Sequence, residues 1–267
     1  MKTFDKAGDR KSRSAFIRAK KAEARYAIQL RKIARVIGDI ASGYTVGDPA
    51  SAGKIEQALR RYSNVISGWA ETTALRMLED VASRDRAAWM EVSRRIGQGI
   101  AKEIGSAPTG AVMRERLQDQ VKLIKSLPEE AAERVREIST KAFTEGRRPQ
   151  YVAEEIMRSG DVAKSRANTI ARTEVSRTGT ELTRARAEYV GSEGYIWRTA
   201  EDEDVRHSHE EMNGKFVRWD SPPTLDGMKG HAGQFPNCRC YPEPVIPGDE
   251  VSAVRVPRLG RPRPQYR

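Results

Sequence analysis

The residues best suited to chemistry are concentrated in one short segment. All three histidines and both cysteines of this 267-residue chain lie there: His207, His209, His231, Cys238 and Cys240. Cysteine thiolates and neutral imidazoles bind Zn²⁺ in tetrahedral sites. In an extended strand, side chains two positions apart point to one face, so the Cys-x-Cys and His-x-His pairs could each present both ligands to one ion. The segment therefore predicts a structural zinc site with these five residues as candidate ligands.

Two alternatives to a structural metal stay open, a catalytic site and a site without metal. Cysteine is often a small buried hydrophobic residue, and histidine is often a satisfied core residue. The second histidine that a zincin helix needs four residues after His209 is absent. An HNH-like nuclease would use clustered His and Asn, and Asn237 supplies only the residue type. The sequence therefore favours a protein that is not an enzyme. The alternative is a metal-dependent nuclease or hydrolase centred on His209, Cys238 and Cys240.

The positive charge of the chain is concentrated at its two ends. The net charge is +11, from 48 Lys and Arg against 37 Asp and Glu. Residues 1–37 carry twelve basic and three acidic side chains, and residues 248–267 carry five arginines and two acidic side chains. Clustered basic residues can neutralise DNA phosphates or bind an acidic partner, although a solvated helix face and a disordered tail are the alternative. The candidate contact residues are Arg10, Lys11, Arg13, Arg18, Lys20, Lys21, Arg25, Arg261 and Arg263.

The composition is that of a globular chain. Hydrophobic residues make up 38% of the sequence, and 21 glycines add to them, which is enough to form a core. Two cysteines cannot form a disulfide framework, so we expect a reducing, intracellular compartment. No segment approaches the roughly 20 apolar residues that span a bilayer, and no apolar stretch follows the N-terminal charges. Neither a secreted nor a membrane protein is predicted.

The first 190 residues show the apolar spacing of amphipathic helices. A stripe with steps of three and four residues from Leu30 to Tyr44 predicts one long basic helix that begins near position 17. Further stripes predict helices over residues 55–81, 89–104, 113–124, 128–143, 151–157 and 163–189. The helix over 128–143 is expected to begin at Pro128, because proline is favoured in the first helical turn. Breaks are expected at residues 43–53 and 106–110.

From Gly191 onward the pattern changes to short strands. Aromatic and β-branched segments at 195–197 and 215–219 flank the turn dipeptide Asn213-Gly214. An irregular loop over 221–236 and an extended segment over 238–245 follow. We predict an α+β fold in three parts: a mostly helical region with long amphipathic helices over 1–150, a small α+β module with a short antiparallel sheet over 151–247, and a basic Pro/Arg-rich tail over 248–267.

Five separated motifs occur in the order typical of one family. They are Ile170-Ala171-Arg172-Thr173-Glu174, Trp197-Arg198-Thr199, Asp204-x-Arg206-x-x-His209, Met212-Asn213-Gly214 and Pro236-Asn237-Cys238-Arg239-Cys240. With them, residues 163–246 resemble the phage head morphogenesis proteins of the Mu F type, which are minor capsid proteins. The resemblance implies a bacteriophage virion protein in the head near the portal vertex, present in the host cytoplasm during assembly. The partners it implies are the portal protein, major capsid or scaffold proteins and packaged double-stranded DNA.

The resemblance also assigns metal ligands and structural residues. His209, Cys238 and Cys240 match the family pattern and are the preferred ligands, whereas His207 and His231 lie outside the pattern. The residues expected to make the module rigid are Arg172, Thr173, Glu174, Trp197, Asp204, Arg206, Asn213, Gly214, Pro236 and Asn237.

More specific roles follow for some of these residues. Arg172 and Glu174 face different sides of a helix, so we expect each to tie that helix to the small sheet through a separate partner. Asp204 and Arg206 are expected to hold the loop that carries His209. The dipeptide Asn213-Gly214 would supply positive φ in a turn.

The long apolar stripes and the basic ends are compatible with more than one kind of partner. The stripes suit homo-oligomeric or portal contacts through helix packing, or they pack only against each other. A host DNA-binding protein outside any virion is a further alternative. About twenty residues follow Pro247, too few for the toxin or enzyme domain that some relatives carry there.

Overall fold

The computed structural model of this protein describes residues 19–44, 49–96, 107–145 and 147–247. These residues form a long helical region followed by a short antiparallel sheet, so the predicted fold class is confirmed. The predicted contact residues Arg10, Lys11, Arg13, Arg18, Arg261 and Arg263 lie outside the described residues, as does the predicted tail.

Six helices precede the sheet in the described part of the chain. They are α1 (Ala19–Ser42), α2 (Pro49–Val65), α3 (Ser67–Ile96), α4 (Thr109–Glu145), α5 (Pro149–Met157) and α6 (Ser159–Tyr189). The elements that follow are β1 (Gly194–Arg198), α7 (His207–Glu210), β2 (Phe216–Arg218), β3 (Thr224–Leu225), β4 (Met228–Lys229) and β5 (Tyr241–Val245). Among the described helices, none combines the length and the apolar character that crossing a membrane requires.

Helix α3 is longer than the sequence predicts. The stripes over 55–81 and 89–104 predict separate helices, but the helix boundary lies at Ile66, and α3 joins the end of the first stripe to the second as far as residue 96. Between the two stripes α3 carries the acidic residue Asp85. Asp85 nevertheless lies on the buried face of α3 with Leu78 and Val81. Its charge is paired inside the protein, as described below, so the helix has no reason to end there.

Pro128 lies inside α4, so the prediction that a new helix begins there is wrong. Proline removes one helical hydrogen bond and crowds the preceding turn. The buried face of α4 nevertheless continues across it, from Ile124 and Leu127 to Ala131 and Val135. Burial of this continuous apolar face outweighs the local cost of the proline, because most helix stability in proteins comes from tertiary packing.

In the described part of the chain, the buried apolar residues form two clusters joined by α6. The larger cluster lies among α1 to α6 and includes Leu30, Leu78 and Leu182. The smaller cluster surrounds β1 and includes Tyr195, Trp197, Trp219, Phe235 and, from α3, Trp89. Helix α6 contributes Ala167, Ile170 and Leu182 to the larger cluster and Ala187 to the smaller one. It therefore fixes the sheet to the helical region.

Helices α1 and α6 approach each other closely at two glycines. A Cβ atom at Gly160 would lie only 2.9 Å from the Cα atom of Gly38. The absence of side chains at this crossing lets the backbones pack directly. The stripe residues Leu30, Ile33 and Ile37 of α1 are buried in the same core. These three apolar side chains thus pack within the chain.

Strand β1 is the central strand of the main sheet. The order is β2-β1-β5, and both pairings are antiparallel, with Gly194 opposite Arg218 on one side and Val245 on the other. Strands β3 and β4 form a separate two-stranded hairpin within the segment predicted to be an irregular loop. The side chains of β1 at 195–197 are buried, and those of Tyr195 and Trp197 pack in the smaller cluster.

Candidate metal centre and the motif residues around it

His209, Cys238 and Cys240 come together in a buried group. The Nδ1 atom of His209 lies 3.5 Å from the Sγ atom of Cys238 and 3.5 Å from that of Cys240. The three ligand atoms lie within 4.8 Å of one another, and the His209 side chain is only 2% exposed. One imidazole nitrogen and two sulfurs are a donor set that suits Zn²⁺.

Two loops position these side chains. His209 lies on the single helical turn α7, whereas Cys238 and Cys240 lie in the loop before β5. The predicted extended conformation of the cysteine segment is wrong at its start. The Cys238 N–H donates to the Phe235 carbonyl in a turn, and Asn237 has a positive φ of 55°. The Cys240 N–H donates to Cys238 Sγ at 3.4 Å, which draws the two cysteines to the same side.

Aromatic rings fix the orientation of His209. The Trp197 ring lies edge-on at a centroid distance of 5.5 Å, and the Phe235 ring lies at 4.8 Å. With Nδ1 directed at the two sulfurs, Nε2 points towards Asp226, whose Oδ2 atom is 4.0 Å away. The Ser208 hydroxyl donates to the same Oδ2 atom at 3.0 Å. The imidazole therefore has a sulfur side and a carboxylate side.

The two thiols behave as a coupled pair. The pKa of Cys238 is lowered to about 4, because the Cys240 thiol donates a hydrogen bond to it and His209 contributes a second one, against the opposing effect of burial. The pKa of Cys240 is raised, because its proton is held by Cys238 and burial disfavours a second negative charge. The pair therefore loses its first proton easily and its second with difficulty.

His207 does not join the group, although the sequence offered it as a ligand. It lies on α7, where residues two apart do not share a face, so the predicted extended His-x-His arrangement is wrong. Its side chain is 86% exposed, and its Nε2 atom lies 3.4 Å from Glu211 Oε1.

His231 is buried, but its ring nitrogens have other neighbours. Nδ1 lies 3.2 Å from the Tyr195 hydroxyl, and Nε2 lies 3.4 Å from Nη1 of Arg184. Burial and the positive charge of Arg184 lower the pKa of His231 to about 4, so the ring is neutral at pH 7. His231 is thus part of the core beside the sheet and lies apart from the metal group.

Arg172 and Glu174 tie α6 to the other helices, not to the sheet as the sequence predicted. Arg172 donates to Glu23 of α1 at 3.2 Å, and Glu174 accepts from Gln120 of α4 at 2.8 Å. The link from this motif to the module comes from Thr173, whose hydroxyl oxygen accepts from the Asn237 N–H at 3.0 Å.

Two further side chains of α6, which sequence reasoning missed, contact the same loop. Arg177 donates to the Gln234 carbonyl at 3.0 Å, and Thr180 donates to the Ala232 carbonyl at 2.7 Å. Positions 173, 177 and 180 share one helix face, which is the only signal in the sequence that could have identified them. This face of α6 supports the loop that carries the cysteines.

Asp204 and Arg206 contact the cysteine loop from the other side. Arg206 donates to the Pro236 carbonyl at 2.7 Å, and Asp204 forms an ion pair with Arg239. In the turn before β2, Gly214 has a φ of 81°, which favours glycine. Asn213 instead uses its side-chain oxygen to accept from the Thr199 N–H at 3.2 Å. These contacts connect the His209 segment with both β1 and the cysteine loop.

A buried ion pair between α3 and α6 was also missed from the sequence. Asp85 pairs with Arg186 and accepts a 2.6 Å hydrogen bond from Thr183. Burial raises the pKa of Asp85 to about 6, although Arg186 and Thr183 act in the opposite direction. In the sequence, this ion pair is indicated only by Asp85, an acidic residue in the middle of an otherwise apolar helix face.

A cavity of about 380 Å³ opens beside the group formed by His209, Cys238 and Cys240. His209, Cys238 and Cys240 all line it, together with polar residues of α6 and the neighbouring loops, among them Asn168, Asp204 and Arg206. The group is therefore buried yet borders a space that water can enter.

Comparison with known proteins finds a family that part of this chain matches. Residues 133–242 match the family described as Phage Mu protein F like protein. A protein of Haemophilus influenzae described as uncharacterized is 34% identical over 137 residues, which is 51% of this chain and 30% of that protein. The chain thus spans less than a third of the length of that relative. No solved structure gives a significant match. The matched range includes all five motifs, so the resemblance is confirmed: residues 133–242 form a phage Mu protein F-like region.

Proposed function

We propose that this chain is a minor capsid protein that takes part in head morphogenesis of a tailed bacteriophage, where it binds the portal or the inside of the head. The observation that carries this proposal is the match of residues 133–242 to the phage Mu protein F-like family. The match covers the last third of α4, helices α5 to α7 and the sheet up to the start of β5.

The contacts of the motif residues support a binding role over an enzymatic one. Thr173 contacts Asn237, Arg206 contacts Pro236, and Trp197 is fully buried on the central strand. Thr173 and Arg206 are engaged with backbone groups of the cysteine loop and thereby hold that loop in place. The motifs therefore build a rigid module that can be presented to a partner.

A stop codon early in the gene tests the role in head assembly. In the phage or prophage that encodes this chain, we expect the stop codon to reduce DNA-filled heads and infectious particles strongly, and wild-type protein supplied in trans to restore both. Electron microscopy of lysates and plaque titres measure the two quantities, and a synonymous change at the same codon is the control. Normal yields of filled heads and plaques without the protein would contradict the proposal.

The exposed face of α1 is the proposed contact surface for double-stranded DNA. Lys21, Lys32 and Arg35 are exposed, and their spacing places them on one side of the helix. Among the described residues, no carboxylate lies within ion-pair distance of these three side chains, whereas Arg25 binds Asp80 at 2.6 Å. Unpaired basic side chains can replace the counterions of DNA phosphates. Lys20, also exposed, adds to this basic surface.

Reversing the three charges on this face is expected to weaken DNA binding and its salt dependence. The triple variant Lys21→Glu, Lys32→Glu and Arg35→Glu should lower the slope of log K against log salt by about 2–3, since each phosphate contact contributes about 0.9. Fluorescence anisotropy with a short duplex at several salt concentrations measures the slope. The matched control Arg61→Glu, Arg76→Glu and Arg114→Glu changes the net charge equally at exposed positions elsewhere. An equal loss in both variants would assign the effect to net charge and not to α1.

A further inference from the structure

We infer that His209, Cys238 and Cys240 bind one zinc ion through His209 Nδ1 and two thiolate sulfurs, with the fourth coordination position open to the neighbouring cavity. This inference is independent of the head function, because it depends on the geometry of the three side chains alone.

The distances from the imidazole nitrogen to the two sulfurs suit a zinc ion. With Zn–S bonds of about 2.3 Å, Zn–N bonds of about 2.0–2.1 Å and a tetrahedral angle, nitrogen and sulfur ligands are separated by about 3.5–3.6 Å. The separations from His209 Nδ1 to the two sulfurs are both 3.5 Å. The nitrogen–sulfur separations around His209 therefore already match those of a tetrahedral zinc site.

The surroundings of His209 Nε2, the ring nitrogen that faces away from the sulfurs, suit a metal ligand. His209 Nε2 is buried and has no hydrogen-bond partner within the described part of the chain, but it faces the Asp226 carboxylate at 4.0 Å. A histidine that binds metal through Nδ1 carries its proton on Nε2, and such ligands usually direct that N–H to a carboxylate. Ser208 holds the carboxylate from the other side at 3.0 Å. Asp226 is therefore placed as the partner that orients the ligand.

The charges of the three ligands also suit a zinc ion. Two thiolates and one neutral imidazole around Zn²⁺ give a centre with zero net charge, which suits the buried position of all three side chains. Two thiolates buried side by side without a cation would leave two negative charges uncompensated. The ion supplies the positive charge that such a pair lacks.

The fourth position is open. Of the described histidines, cysteines and acidic residues, only these three form the group, and all three line the 380 Å³ cavity. A water molecule from this cavity is the fourth ligand that the structure favours. Open positions also occur in hydrolytic zinc sites. The described lining of this cavity, however, contains one carboxylate, Asp204, and that carboxylate pairs with Arg239. Within the described lining no unpaired carboxylate stands beside the ion, so we assign the ion a structural role that joins the α7 segment to the cysteine loop.

Metal content and a cobalt spectrum of the intact chain test the site without any substitution. Full-length protein, purified with reductant and titrated with zinc, is expected to retain about one zinc per chain by mass spectrometry of the metal. Replacement by Co²⁺ should give tetrahedral ligand-field bands and a thiolate-to-cobalt charge-transfer band of the strength of two thiolates. A chain that retains no zinc after this titration, or gives an octahedral cobalt spectrum without the charge-transfer band, would overturn the inference.

Variants then test which atoms bind the ion. Cys238→Ser and Cys240→Ser should weaken zinc binding by more than about 100-fold, and Asp226→Asn by about 10–100-fold, the range for loss of an orienting carboxylate. His207→Gln is the matched control, since its side chain is exposed, and it should bind zinc like the wild type. If a cysteine variant fails to fold, Asp226→Asn, which alters a partly exposed side chain, still gives a result. Unchanged zinc affinity in Asp226→Asn would remove the orienting role, and stoichiometric zinc in a folded cysteine variant would overturn the ligand set.

Discussion

Replacing Asp85 with alanine is expected to lower the free energy of unfolding by about 3–5 kcal/mol at pH 7, the range for breaking a buried ion pair from one side. Asp85 is 8% exposed and Arg186 only 5%. Without the carboxylate, the guanidinium of Arg186 stays charged and buried, because arginine does not lose its proton in proteins. Thr183 also loses the acceptor that its hydroxyl binds at 2.6 Å. Urea unfolding followed by circular dichroism measures the loss.

Two further variants show whether the buried charge is the cause. The double variant Asp85→Ala and Arg186→Leu should recover part of the lost stability, because the uncompensated charge is gone. Glu130→Ala removes one partner of a surface ion pair with Arg166, and we expect a much smaller loss there. If Asp85→Ala is no more destabilised than Glu130→Ala, the pair does not join α3 to α6 as we describe.

Replacing Trp197 with alanine is expected to lower the free energy of unfolding by about 3–5 kcal/mol, the usual range for deleting a buried aromatic side chain. Trp197 is fully buried on β1, and its ring packs against His209 and Phe235. Its removal leaves a cavity directly beside the metal group, so we also expect weaker zinc binding. Thermal and urea unfolding measure stability, and zinc titration measures the second effect.

The matched comparison for this prediction uses the same residue type at a different site. Trp69 on α3 is only partly buried, so Trp69→Ala should cost less stability and leave zinc binding unchanged. Trp197→Phe keeps an aromatic ring in the core and should be less damaging than alanine. Equal stability losses in Trp197→Ala and Trp69→Ala would contradict the central place of Trp197 in the small core.

The helical region could be predicted from apolar spacing, but not where its helices end. The stripe through Leu30 and Ile37 identified α1, because a continuous apolar face is visible in the sequence. Pro128 predicts a helix start in the sequence, because proline favours the first helical turn, and the role of Asp85 was not predicted. Arg186, about a hundred positions away, neutralises Asp85, and packing of the α4 face against other helices compensates for Pro128. These long-range contacts cannot be read from the local sequence.

The clustering of His and Cys identified the candidate metal group, but geometry was needed to select its members. The family resemblance preferred His209 to His207, but the spacing of the two histidines does not separate them, and the helical turn of α7 leaves one ring exposed and the other buried. His231 is distinguished by Arg184 and Tyr195, which lie on other elements. The same limit explains the misassigned roles of Arg172 and Glu174, since Glu23 and Gln120 are more than fifty positions away.

Mass spectrometry of purified heads tests the central claim most directly. Heads are isolated by density gradient from the phage or prophage that encodes this chain, and peptides are quantified against the major capsid protein. We predict that the chain is present in the heads at a small fraction of the major capsid protein, and that it is absent from heads made with the stop-codon gene. Its absence from wild-type heads, with the protein detected only in the unassembled fraction of the lysate, would contradict the assignment as a minor capsid protein.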